Sequence, residues 1–195
     1  MLAGPDEAAF TVHENYICAK SKFFQAACRK EWSEGAKKLI RLPEVEPGMF
    51  SSYLNWVYTS NVVVEVEEDS RDPEARLAYE QDGLMRLYVL GDVLDDLPLR
   101  NQTLKDLANI VSQPSSQSVT WAYEHTPAIS NLRQVLVHLA ALKWDVTGFI
   151  IERANYHHEF VRDLAVVLMY MTKHRIAIAT PISLAPQFLE DESSA

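Results

Sequence analysis

FTVHENYICAKSKFFQAACRKEWSEGAKKLIRLPEVEPGMFSSYLNWVYTS, residues Phe10–Ser60, is the stretch whose reading decides the fold. It opens with Phe10-Thr11-Val12, an apolar/polar alternation that predicts a strand with one buried face. His13 to Ala19 follows with helical spacing, and Tyr16 and Ile17 are its expected inward residues. Ser21 is placed to cap a second helix, since a hydroxyl at that position accepts from the free N–H groups of the next turn. That helix carries Phe24, Ala27 and Cys28 at i, i+3, i+4, which puts them on one face. Leu39-Ile40-Arg41-Leu42 reads as a short strand stopped by Pro43. Pro47 has its φ set for a first helical turn, and the helix it starts is expected to turn Met49, Phe50, Tyr53, Leu54, Val57 and Tyr58 to an apolar face.

Two segments of this stretch also carry a family resemblance. His13-x-x-x-Ile17-Cys18-x-x-Ser21-x-x-Phe24 resembles the H-x-x-x-L-A-x-x-S-x-x-F signature of the BTB/POZ domain. Pro47-x-x-Phe50-x-x-x-Leu54-x-Trp56-x-Tyr58-Thr59-Ser60 resembles that family's P-x-x-F-x-x-x-L-x-[FW]-x-Y-[TS]-G segment, in the form kept by stand-alone BTB proteins of filamentous fungi. Both occur in order with a Leu-Pro step between them, and the resemblance runs over roughly residues 9 to 110. It implies an α+β, mostly helical fold, a small mixed sheet capped by a cluster of helices. It also makes His13, Ile17, Ser21, Phe24, Pro47, Phe50, Leu54, Trp56 and Tyr58 structural signature positions.

The resemblance further implies a strand before Phe10, often with a buried Asp. Only Met1-Leu2-Ala3 is available for it, so the first strand is expected to be missing or truncated, leaving a sheet edge that recruits other chains. In relatives that act as repressors, a basic residue after the signature His pairs with that Asp. Here the position is Glu14, so corepressor binding through a charged pocket is not expected. In relatives that recruit a cullin scaffold for ubiquitin transfer, a hydrophobic-x-Glu motif follows the Phe-bearing helix. Trp32-Ser33-Glu34 stands there, with Trp32 as a large anchor and Glu34 as a rim carboxylate.

Beyond Ser60, Val62-Val63-Val64 suits a short strand, and Glu65–Asp82 reads as a polar, acidic, solvated insert. Leu84 to Leu94 and the residues after Pro98 show helix spacing and resemble the two helices that close a BTB domain. The domain is therefore expected to span 1–112. Residues 113–127 have linker composition, and 128–174 form a C-terminal helical extension. Within it, Ile129, Leu132, Val135, Leu136, Leu139 and Leu142 mark one amphipathic helix, and Val161, Leu164, Ala165, Leu168 and Met171 mark another. Residues 175–195 read as an irregular acidic tail.

The chain is long enough for one compact domain with helical additions, and 48% of its 195 residues are hydrophobic, enough for a sizeable core. Its 27 acids against 18 bases leave a formal charge of −9, which repels phosphate backbones and anionic membranes. Neither nucleic acid nor membrane is an expected partner. There is no secretory leader pattern, and the two cysteines, Cys18 and Cys28, make no CxxC. An intracellular chain, nuclear or cytoplasmic, with reduced thiols at buried helix positions follows.

Catalytic motifs are absent by spelling: no G-x-S-x-G, no phosphate loop and no G-x-G-x-x-G. His157-His158-Glu159 is the one cluster suggesting a metal-dependent enzyme. Adjacent histidines on a helix point about 100° apart, and the HExxH spacing is missing. His138 beside an apolar stripe is read as a partly buried, hydrogen-bonded histidine. The expectation is a non-catalytic protein–protein interaction module without cofactor. It would self-associate or recruit partner proteins, with a cullin-type ubiquitin ligase adaptor as the sharper form. A metal enzyme and a transcriptional co-regulator scaffold are the alternatives.

Overall fold

The structure is a computed structural model and describes residues 1–29, 39–64, 72–110, 113–144, 147, 155–174 and 188–190. Among them are three two-residue strands, β1 (Leu2–Ala3), β2 (Ala8–Ala9) and β3 (Arg41–Leu42). Eight helices accompany them: α1 (Glu14–Lys20), α2 (Lys22–Ala27), α3 (Pro47–Thr59), α4 (Pro73–Val93), α5 (Leu97–Asn109), α6 (Ser116–Glu124), α7 (Asn131–Lys143) and α8 (His158–His174). The fold is α+β and mostly helical. Two compact units divide the chain: Met1–Glu65 with Arg86–Gln102, and Val66–Met85 with Thr103–Ala195.

In the first unit the sheet order is β2-β1-β3, with β1 antiparallel to β2 and parallel to β3. The strand expected at Phe10–Val12 is formed by Ala8–Ala9 instead, because Gly4 (φ 75°) and Glu7 (φ 51°) turn the chain back directly after Ala3. Pairing of β2 ends where β1 begins, with Phe10 N–H donating to Met1 O at 2.8 Å. Leu2–Ala3 is thus a short strand at the centre of the sheet. Phe10 and Val12 still pack on the core, and the Phe10 ring meets Phe50 edge-on at 5.0 Å. The third strand is also shorter than Leu39–Leu42 suggests. Residues 61–64 hold no strand, although Val62 and Val64 are partly buried against the same core.

That core is Ile17 and Phe24 from α1 and α2, Phe50, Tyr53, Trp56 and Val57 from α3, and Leu87, Leu90, Leu94 and Leu99 from α4 and α5. Ser21 caps α2 through a bond from Phe24 N–H (3.1 Å), and Pro47 occupies the first turn of α3. Helix α3 ends at Ser60 in the left-handed conformation (φ 57°). Two readings of facing need correction. Tyr16 is 55% exposed, one position from buried Ile17, and Tyr58 is 41% exposed, while Trp56 takes the buried place at 5%.

Helix α4 starts at Pro73, far earlier than Leu84. Residues 73–82, read as loop, are helical because Asp72 Oδ1 accepts from Glu74 N–H (3.0 Å) and the run Glu74-Ala75-Arg76-Leu77-Ala78 is made of strong helix formers.

In the second unit, the stretch read as linker contains α6. Ser115 Oγ caps it by accepting from Ser118 N–H (3.0 Å), and Val119, Ala122 and Tyr123 are buried at helical spacing. Ser130 caps α7, which buries Leu132, Val135, Leu136, Leu139 and Ala140. Helix α8 buries Phe160 and Leu164, while Leu168 is exposed. Of residues 175–195 the description covers 188–190 alone, where the Phe188 ring lies 4.7 Å from that of His138.

Candidate protein-interaction surface

In the first unit, the start of α1 and the last turn of α3 bring three exposed rings together. His13 is the residue before α1, and its backbone N–H donates to Tyr58 Oη at 3.0 Å. The same hydroxyl lies 3.1 Å from His13 Nδ1. Tyr16 closes the cluster, 5.4 Å from Tyr58 and 6.1 Å from His13 between ring centroids. One helical turn on, Lys20 Nζ donates to Ser60 Oγ (3.0 Å) and sits 4.4 Å from the centre of the Trp56 ring. The result is a fixed aromatic platform with polar tips and a cation at its edge. Such amphipathic rings supply large contact area at small entropy cost and are enriched at protein interfaces.

A buried polar node sets the platform's floor. Asp96, fully buried, accepts from Trp56 Nε1–H (3.0 Å) and Tyr53 O–H (3.3 Å) through Oδ2, and from Leu99 N–H (2.9 Å) through Oδ1. It therefore ties α3 to the first turn of α5 and caps that helix. Burial pushes its carboxyl above the ordinary range, opposed by the Leu99, Trp56 and Tyr53 bonds and by Lys20. The Tyr53 hydroxyl is pushed up as well, first by burial and then by the nearby Asp96. Ser21 adds a second tie, its hydroxyl donating to Leu94 O in the turn between α4 and α5.

The family model for the BTB/POZ domain matches residues 2–82. Residues 2–82 form a BTB/POZ domain. No solved structure gives a significant match to the chain. A BTB/POZ domain is a protein–protein interaction module, and that is the coarse function residues 2–82 carry.

Within the BTB/POZ domain the signature positions fall into two sets. Ile17, Ser21, Phe24, Phe50 and Trp56 are buried, and Pro47 and Leu54 are partly buried. His13 and Tyr58 lie on the exposed platform, so their pairing is a surface feature. Trp32 and Glu34 lie outside the described residues. Both cysteines are half-buried rather than buried. Asp96 is not singled out as a buried node by the sequence, because its side-chain partners Trp56 and Tyr53 lie 40 and 43 positions away.

In the second unit, Glu159 and His157 are engaged in local hydrogen bonds, while His158 is exposed. Glu159 Oε2 accepts from Arg133 Nη1–H at 2.6 Å, and that hydrogen bond holds its carboxyl below the usual range. His157 Nδ1 accepts from Glu159 N–H (3.3 Å) at the start of α8. Arg133 is itself buried: it donates to Tyr123 O, Thr126 O and Thr126 Oγ1, and stacks over the Tyr123 ring. Among the described residues no three His, Cys, Asp or Glu groups converge as a metal site. A hollow of about 300 Å³ lined by residues such as Gln134, Val137, His138 and Val166 is open and of mixed polarity. Among the described residues no helix is long and apolar enough to cross a membrane.

Proposed function

We propose that this chain self-associates and recruits partner proteins through its BTB/POZ domain, without catalysing a reaction, and that it serves as a substrate adaptor for a cullin-type ubiquitin ligase. The observation that carries self-association is the exposed His13–Tyr16–Tyr58 platform. Tyr16 is 55% exposed although it stands beside a fully buried residue on a rigid helix. An exposed tyrosine held in place by its neighbours loses little entropy on docking. The adaptor reading is supported by Trp32-x-Glu34, placed in the sequence after the Phe24 helix. The helices beyond residue 112 would extend the scaffold contact or hold the target. The platform is built from aromatic rings beside Lys20, in a chain of net charge −9, which favours a protein surface over nucleic acid or anionic lipid.

The test mixes the purified chain with the N-terminal domain of such a cullin and measures complex formation by calorimetry. The Trp32→Ala/Glu34→Ala pair is expected to weaken binding at least about tenfold, as loss of an aromatic anchor does. Absence of a complex with the native chain would remove the adaptor reading and leave self-association, which Tyr16→Glu tests separately.

A further inference from the structure

Cys18 lies on α1 and Cys28 ends α2, ten positions apart. One carbonyl oxygen receives both residues: Cys18 Sγ–H points to Phe24 O at 3.4 Å, and Cys28 N–H donates to the same atom at 2.9 Å. The two positions are held there by buried Ile17, Phe24 and Ala27 and by the doubly bonded Ser21 between the helices. Both thiols are free and half-buried, open enough for a small oxidant. We propose that Cys18 and Cys28 are a redox-active dithiol that hydrogen peroxide closes to an intrachain disulfide, stapling the end of α2 to α1.

The order of events follows from the surroundings. The Cys18 thiol is pushed up to about 12, first by burial, then by its hydrogen bond to Cys28 and by the charges of Cys28 and Glu14. Cys18 therefore keeps its proton, and Cys28 is the sulfur oxidised first. Peroxide transfers one oxygen to Cys28 Sγ, giving a sulfenic acid and one water. Cys18 Sγ then attacks the Cys28 sulfur, the S–O bond breaks, and the departing hydroxide takes the Cys18 proton as a second water. Two thiols are oxidised by two electrons and peroxide is reduced, so the step balances. Trp32 follows Cys28 by four positions, so the staple would act on the chain leading to the proposed scaffold motif. That consequence rests on the adaptor reading; the disulfide does not.

The experiment treats the reduced full chain with stoichiometric peroxide, blocks remaining thiols by alkylation, and digests with trypsin without reductant. Cleavage after Lys20, Lys22 and Arg29 separates the cysteines, so the disulfide appears as Met1–Lys20 joined to Phe23–Arg29. The expected result is that joined pair, from single chains lighter by two hydrogens, reversed by dithiothreitol. It should form at least about tenfold faster in the folded chain than in urea, because folding holds both residues at one carbonyl oxygen. Cys18→Ser and Cys28→Ser should each abolish it. Equal rates folded and unfolded, links only between chains, or sulfinic acid without the joined peptides would overturn the proposal, and all are read on the native sequence.

Discussion

Replacing Ser21 by alanine removes two bonds at once: the cap on Phe24 N–H and the donation to Leu94 O. Both bonds are buried in the first unit, so Ser21→Ala is expected to cost about 1–3 kcal/mol in urea unfolding, with Ser21→Thr recovering part of it. Asp96 makes a different prediction, about pH. Its folded carboxyl titrates above the ordinary 3.8, raised by burial. The folded state therefore binds that proton more tightly than the unfolded chain. The resulting stability is fully present below pH 3.8 and is lost as pH rises through the raised folded value. Asp96→Asn cannot titrate, so the stability of wild type minus that of Asp96→Asn should fall from pH 3.8 toward neutrality. A difference that grows over that range would contradict the account. Ser21 was legible as a cap from its place before the Phe24 helix. Asp96 was not, since a carboxylate before a proline-marked helix start reads only as a turn residue.

At the scale of the elements, helices were read well where the apolar spacing was sustained, as in α3, α7 and most of α8. The misreadings share one cause. Residues 73–82 and 116–124 are polar enough to pass for loop and linker, yet each is started by a side-chain cap, Asp72 and Ser115, followed by good helix formers or buried residues. The strand expected from Phe10 begins two residues earlier, at Ala8, because the turn at Gly4–Glu7, rather than hydrophobic alternation, sets where pairing begins. The second unit rests on Arg133, which satisfies two carbonyls, a hydroxyl and Glu159. Arg133→Ala leaves two buried carbonyls without this donor and is expected to cost about 1–3 kcal/mol, read as a lower denaturant midpoint. Lysine is not expected to rescue it, since one ammonium cannot reproduce the guanidinium fork.

For the molecule as a whole, the family and the α+β class were legible because the two signature segments combine buried anchors with fixed turns. The functional surface was less so. Tyr16 reads as an inward residue from spacing alone, and only the fold shows that Ile17 takes that role and frees Tyr16 for the surface. Tyr16→Glu should leave folding stability within about 0.5 kcal/mol, as a surface change does, while adding a charge to the platform that docking would have to bury. The most direct test of the interaction-module account is therefore solution mass by light scattering over a range of concentrations. The account predicts a particle of two or more chains, reduced to the single-chain 22.1 kDa by Tyr16→Glu. A native chain that stays at 22.1 kDa at every concentration, or a Tyr16→Glu variant that assembles as well as the native one, would contradict it.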